Sequence, residues 1–130
     1  MWLKTLALSS LLLSAPSAMA QGPARLTPLV VEGERYFTLQ WQAGDTNGRS
    51  DVHGVIGNEF GFGARKVRLL IDSLDAAGGV TAQTIAYVPF DLPPGTRSYF
   101  EARVPARAAS YRVSIFEWEW IQAGGGDTLP

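Results

Sequence analysis

Two tryptophans and two glutamates alternate near the end of the chain, in the stretch FEWEWIQ at residues 116–122. Aromatic rings two residues apart on a strand are about 7 Å from each other, which suits stacking on sugars or on a partner's side chains. Paired carboxylates at this spacing resemble the acid and base of a glycosidase, but such a pair needs a cleft with unequal environments. We therefore expect Glu117 and Glu119 to lie on a solvated strand face, and we predict no catalytic residues.

The residues predicted first to bind a ligand or partner are Trp118 and Trp120, with Phe116 beside them. Residues of the opposite parity in the same strand, which point to its other face, are also apolar: Tyr111, Val113 and Ile115. A single register cannot bury both sets on one side of a sheet. Three structures remain open: a bulge near Ile115 and Phe116 that turns all of them into the core, a strand covered on both faces, or an exposed aromatic ladder.

A second candidate binding region is the loop at residues 58–62, which lies in the glycine-rich segment GNEFGFG at residues 57–63. It matches neither GxGxxG nor a P-loop, because no Lys-Ser/Thr pair follows the glycines. We expect a bend in which Phe60 and Phe62 pack locally, and we group it with the proline-rich loop at residues 89–94 as a surface available to a partner.

Metal and cofactor sites are not expected. His53 is the only histidine and cysteine is absent, which excludes a multi-histidine or thiolate metal site. A Ser-His-Asp triad would have to be built around His53, which we expect to be an ordinary strand residue. The segment DTNGRSD at residues 45–51 lacks the glycine and the final glutamate of an EF-hand, so we predict a turn there.

The start of the chain predicts export. Its first twenty residues carry Lys4, a short apolar centre and the small-residue ending Ala18-Met19-Ala20. This pattern is typical of a secretory signal peptide, cleaved here before Gln21, so we expect a periplasmic or secreted protein without a transmembrane segment after cleavage. The predicted organisation is a signal peptide at 1–20, an N-terminal extension at 21–34, a β-sandwich domain at 35–122 and a disordered tail at 123–130.

Hydrophobic residues in the predicted domain recur with a period of two, as in Phe37, Leu39 and Trp41. Turn sequences separate these runs: Asp-Thr-Asn-Gly at 45–48, Asp-Ala-Ala-Gly-Gly at 75–79 and Pro-Pro-Gly at 93–95. We predict an all-β fold, an antiparallel immunoglobulin-like β-sandwich of six or seven strands. A small barrel is the alternative, since periodicity does not show whether the edges close.

The stretches VHGVIGNEFGFGARKVRLLIDSLDAAGGV, VPFDLPPGTRSYFEARV and SYRVSIF resemble the layout of bacterial extracytoplasmic FxLYD-type immunoglobulin-like domains over residues 51–116. The matching positions are Gly54, Ile56, Asn58, Leu74, Asp75, Gly78, Pro94, Gly95, Phe100 and Tyr111. The name-giving Phe-x-Leu-Tyr-Asp is represented by Ile71 to Asp75, which keeps the aspartate and the apolar character. The resemblance implies a cell-envelope sandwich module and brings no catalytic residues.

Charge is nearly balanced, with a formal net charge of −1, so no electrostatic footprint for nucleic acid is present. We therefore predict an exported, non-catalytic β-sandwich module that mediates protein interaction in the bacterial cell envelope, with another envelope protein as its partner. The alternative is a carbohydrate-binding module that uses exposed tryptophans of the last strand to bind polysaccharide.

Overall fold

The computed structural model describes residues 25–122, so the predicted signal peptide and C-terminal tail lie outside the described residues. A short 3-10 turn, Gly33–Arg35, is followed by six strands. They are β1 (Phe37–Thr46), β2 (Arg49–Asn58), β3 (Gly63–Leu74), β4 (Val80–Tyr87), β5 (Arg97–Arg103) and β6 (Ser110–Ile121).

The strands form two three-stranded antiparallel sheets. Sheet 1 has the order β1-β2-β5, and sheet 2 has the order β4-β3-β6. One shared hydrophobic core takes residues from both sheets, including Val52, Ile56 and Phe100 of sheet 1 and Leu69 and Ile71 of sheet 2. The prediction of an all-β, antiparallel, sandwich-like fold is confirmed. Within residues 25–122, no helix is long and apolar enough to cross a membrane.

The turns adopt the conformations that their residues favour. Asn47 and Gly48 both have positive φ, 53° and 75°, which is the pattern of a type I′ hairpin turn and matches the right-handed twist of β1 and β2. Gly95 has φ 75°, and Thr96 donates its backbone N–H to the carbonyl of Pro93. Pro94 and Gly95 therefore occupy the central positions of a type II turn, as the sequence predicts.

Two bulges in the β3–β6 pair resolve the parity conflict of the last strand. The register shifts once between Arg65 and Arg68. It shifts again between Arg68, which pairs with Glu117, and Leu69, which pairs with Ile115. Phe116 is thus an extra residue in β6. One extra residue reverses the side to which all later side chains point. A bulge near Ile115 and Phe116 is observed, and it brings Trp118 and Trp120 to the core side together with Tyr111, Val113 and Ile115. The expectation that the bulge turns all six residues into the core is wrong for Phe116, which packs under Arg68 on the outer face of sheet 2.

The side of the sandwich between β1 and β6 is closed by specific contacts. Trp41 of β1 donates its indole N–H to the carbonyl of Tyr111 at 3.1 Å, and Leu29 donates its backbone N–H to the carbonyl of Phe116 at 2.8 Å. A Cβ built on Gly33 would lie 2.7 Å from Cβ of Ile115. Glycine at this position therefore allows the N-terminal segment to approach β6 closely.

Candidate functional site

Six aromatic side chains meet at one end of the sandwich, where β1 begins, where the β2–β3 loop turns and where β6 ends. We call them the aromatic end cluster: Tyr36, Phe37, Phe60, Phe62, Trp118 and Trp120. Four of the five residues predicted to bind a partner belong to this cluster. Two separate sequence candidates, the end of the last strand and the glycine-rich loop, are therefore one surface.

The rings of the cluster pack mainly edge to face. The ring centroids of Trp118 and Trp120 are 5.4 Å apart, with their planes at 73°, and Tyr36 stands at 90° to Trp120. Phe37 is stacked on Trp120, with an interplanar angle of 12°. These are favoured arrangements because the positive ring edge meets the negative ring face. The faces of the tryptophans are consequently occupied by neighbouring rings instead of forming a flat platform.

Solvent reaches the cluster chiefly through the two phenylalanines of the loop. Phe60 is 39% exposed and Phe62 is 45% exposed, whereas both tryptophans are half-buried and Phe37 is buried. The apolar surface continues into a shallow pocket of about 350 Å³, which Phe62 lines together with Pro93, Pro94 and Ile121. The exposed part of the cluster is therefore a rim of phenylalanine over a partly buried tryptophan base.

Asn58 holds this loop in place. Its side chain is fully buried, and its Nδ2 donates to the carbonyls of Phe62 at 2.8 Å and Leu92 at 2.9 Å. Its Oδ1 accepts the backbone N–H of Phe60 at 2.9 Å. A buried amide with both donor hydrogens used is strongly oriented, because leaving any of them unpaired costs free energy. The side chain thus ties the β2–β3 loop to the β4–β5 loop.

Charged residues lie around the cluster. Arg35 pairs with Glu32 at 2.8 Å and lies over the ring of Tyr36, 5.7 Å from its centroid. The hydrogen bond from Arg35 to Glu32, helped by the charge of that carboxylate, raises the pKa of the guanidinium, which stays cationic. An apolar centre with a charged rim is the usual composition of a protein interface.

The two glutamates of FEWEWIQ are both ion-paired. Glu119 accepts a hydrogen bond from Nε of Arg65 at 3.0 Å, and Glu117 pairs with Arg68 on the outer face of sheet 2. Each carboxylate thus faces a guanidinium across a strand pair instead of facing the other carboxylate across a cleft. This arrangement supports the expectation that they are strand-face residues.

Phe116 lies apart from the other predicted binding residues. The bulge turns it away from the core, and it is only 7% exposed. The guanidinium of Arg68 lies 5.5 Å from its ring centroid and 5.9 Å from that of Tyr87. Phe116 therefore packs beneath a cation on the outer face of sheet 2 and does not contribute to the aromatic end cluster.

His53 lies on the outer face of sheet 1, where its ring nitrogens contact Asp51 and Gln42. Its Nδ1 is 2.9 Å from Oδ1 of Asp51, and its Nε2 is 3.2 Å from the amide nitrogen of Gln42. If the Gln42 amide donates, the histidine proton is on Nδ1 and points to Asp51. Among residues 25–122, no group of three or more metal-ligating side chains could hold a metal ion.

Two residues of the aromatic end cluster, Tyr36 and Phe37, were not predicted as part of a site. Tyr36 lies directly before the first strand and Phe37 is the first residue of β1, so an adjacent aromatic pair at a strand start was the available signal. Asn58 lies in the loop predicted as the second binding region, but its role in holding that loop was not predicted. Its three hydrogen bonds join loops 34 residues apart in sequence, which no local pattern reveals.

Comparison with known proteins gives no further guide to the site. No protein-family model matches the chain, and no curated protein or solved structure matches it.

Proposed function

We propose that this protein is an exported, non-catalytic β-sandwich module of the bacterial cell envelope, and that it binds another protein through the aromatic end cluster. The observation that carries the proposal is the pair Phe60 and Phe62, which stay 39% and 45% exposed on a loop fixed by a buried asparagine. Large apolar rings held out to water in an ordered loop are typical of a contact surface.

The interior of the cluster explains why the surface is ready to bind. Trp120 contacts both loop phenylalanines, with ring centroids 4.9 Å from Phe60 and 6.3 Å from Phe62. The rings therefore support one another, and little side-chain entropy is lost when a partner covers them. Aromatic residues in such packed settings contribute most of the binding free energy in protein interfaces.

The immunoglobulin-like type of sandwich, proposed here as well, is supported by the strand order. Sheets β1-β2-β5 and β4-β3-β6 correspond to strands A-B-E and C′-C-F of that fold. Tyr111, at the start of β6, accepts the N–H of Ala108 at 2.9 Å and donates to the carbonyl of Ala106 at 3.1 Å. These bonds support the proposal, since the tyrosine corner of immunoglobulin-like domains is a tyrosine at the start of strand F whose hydroxyl bonds to the backbone a few residues upstream.

Location in the envelope rests on the sequence. The leader at residues 1–20 has the pattern of a signal peptide, and the resemblance to FxLYD-type domains is to extracytoplasmic modules. The alternative, polysaccharide binding by Trp118 and Trp120, requires open ring faces. The proposal favours a protein partner because those faces are covered by neighbouring aromatic edges.

The test compares capture of periplasmic proteins by the wild-type chain and by Phe62→Ala. Leu26→Ala is the matched control, since Leu26 is 44% exposed, nearly the same as Phe62, but lies in the N-terminal segment outside the cluster. We expect a protein that is captured by the wild type and by Leu26→Ala, and that is at least about tenfold depleted with Phe62→Ala.

Equal capture by all three proteins would overturn the proposed site. Binding of envelope polysaccharide that Phe62→Ala or Trp120→Ala removes, in the absence of a captured protein, would establish the carbohydrate alternative instead. Circular dichroism of each variant shows whether it is folded, so that loss of binding is attributable to the surface.

A further inference from the structure

The side of the sandwich opposite the closed one contains an edge strand that pairs on one side only. In the described chain β5 pairs with β2, and no ladder joins it to β4. It contains neither proline nor lysine, and its pairing with β2 runs without a register shift. Proline, lysine and β-bulges protect edge strands from pairing with another chain, and β5 has none of the three. The charged residues that it does contain, Arg97, Glu101 and Arg103, are of both signs.

The backbone groups at this edge are those of the odd-numbered residues. At the two ends of the β2–β5 pair, Val104 donates its N–H to Ser50 and Asn58 donates its N–H to Thr96. Bonded and non-bonded residues alternate in an antiparallel ladder. The N–H and C=O groups of the even-numbered residues therefore point to β2, and those of Arg97, Tyr99 and Glu101 point to the free edge.

The side chains of these three residues form a symmetric charge pattern. Arg97 and Glu101 each lie two residues from Tyr99, on the outer face of sheet 1, and both are exposed. Neither has an ion-pair partner in the described chain. Tyr99 between them is 59% exposed. The pattern is self-complementary. When a second β5 strand lies antiparallel beside the first, each charge faces the opposite charge of the other strand.

A groove beside β5 leaves room for an added strand. It has a volume of about 540 Å³ and is lined by residues 97–101 on one side and by Tyr87, Pro89 and Phe90 on the other. Phe90 and Tyr87 are 74% and 66% exposed, so an added chain would cover apolar surface as well as form backbone hydrogen bonds.

We propose that β5 pairs antiparallel with β5 of a second copy of this chain, about a two-fold axis at Tyr99. Arg97 of each copy then lies opposite Glu101 of the other, which gives two ion pairs, and the two Tyr99 rings lie side by side. About six backbone hydrogen bonds form, and sheet 1 continues through both copies. A strand of a different protein has no reason to match this charge order, whereas a two-fold related copy matches it by symmetry.

A charge swap tests the proposal. In sedimentation of the whole chain, the wild type forms a dimer, and Arg97→Glu weakens it at least about tenfold, because two attractive pairs become two repulsive ones. The double variant with Glu101→Arg in addition restores the dimer. Arg103→Glu is the matched control, since it changes the same charge on the same strand outside the paired register, and it does not weaken the dimer.

A cysteine cross-link tests the register. The chain has no cysteine, and paired Cα atoms at the axis are about 5.5 Å apart, within disulfide range. Tyr99→Cys therefore forms a disulfide-linked dimer, whereas Glu101→Cys does not, because its two copies lie about 13 Å apart along the strand. A monomeric wild type at about 0.1 mM, a double variant that stays weak, or equal cross-linking of both cysteine variants would overturn the proposal.

Discussion

Replacing Asn58 by alanine removes the side chain that fixes the loop of the candidate site. Three hydrogen bonds of 2.8 to 2.9 Å are lost at a fully buried position. Each contributes about 1 kcal/mol net, and a carbonyl left buried without a donor adds a further penalty of about 1 kcal/mol or more. We therefore expect the free energy of unfolding to fall by about 4 kcal/mol, a large fraction of the stability of a domain this size.

Urea unfolding followed by circular dichroism measures this change. With a slope of about 1–1.5 kcal/mol per molar urea, the midpoint should fall by about 3–4 M. Gln40→Ala is the control, because Gln40 is an exposed amide on β1 and its loss should change stability by less than about 0.5 kcal/mol. Hydrogen exchange adds a local readout, since the N–H of Phe60 donates to Asn58 and should lose protection. A variant within about 1 kcal/mol of the wild type would refute the argument that the loop depends on this amide.

Two further substitutions should change the free energy of unfolding in opposite directions. A Cβ at Gly54 would lie 1.9 Å from the backbone carbonyl oxygen of Gln40, so Gly54→Ala should cost at least about 3 kcal/mol or prevent folding, and a normal thermal midpoint would contradict this. Ser73 is buried, and its Oγ has no hydrogen-bond partner among the described residues. Ser73→Ala should therefore stabilise the protein by up to about 1 kcal/mol, and a loss of more than about 0.5 kcal/mol would show that the hydroxyl has an unseen partner.

The strands and turns could be predicted because their determinants are local. Period-two runs such as Phe37 to Trp41 predicted β1, and Asn47-Gly48 predicted its hairpin turn. The strand order depends on pairing between residues distant in sequence, and no local pattern encodes it. The bulge at Phe116 was one of three alternatives because register is set jointly with β3, where Lys66 adopts a positive φ of 54°. A lysine gives no sign of such a conformation.

The candidate site was predicted in parts but not as a whole. Trp118 and Trp120 were chosen from their alternation, and Phe60 and Phe62 from a glycine-rich loop. That they touch follows from the bulge, which turns the tryptophans inward, and from the β3–β6 pairing, which brings the end of β6 beside the start of β3. Both are tertiary facts, and the sequence alone left both exposed and buried tryptophans open.

Asn58 also connects the two surfaces proposed for binding. Through Phe60 and Phe62 it fixes the loop of the aromatic end cluster, and through Leu92 it holds the loop whose residues Pro89 and Phe90 line the groove beside β5. The buried amide of Asn58 therefore fixes one loop of each surface. Phe62→Ala and Arg97→Glu each change one surface, whereas Asn58→Ala changes both. If Phe62→Ala loses partner capture but still forms the dimer, and Arg97→Glu loses the dimer but still captures the partner, then the two surfaces function independently although Asn58 supports both.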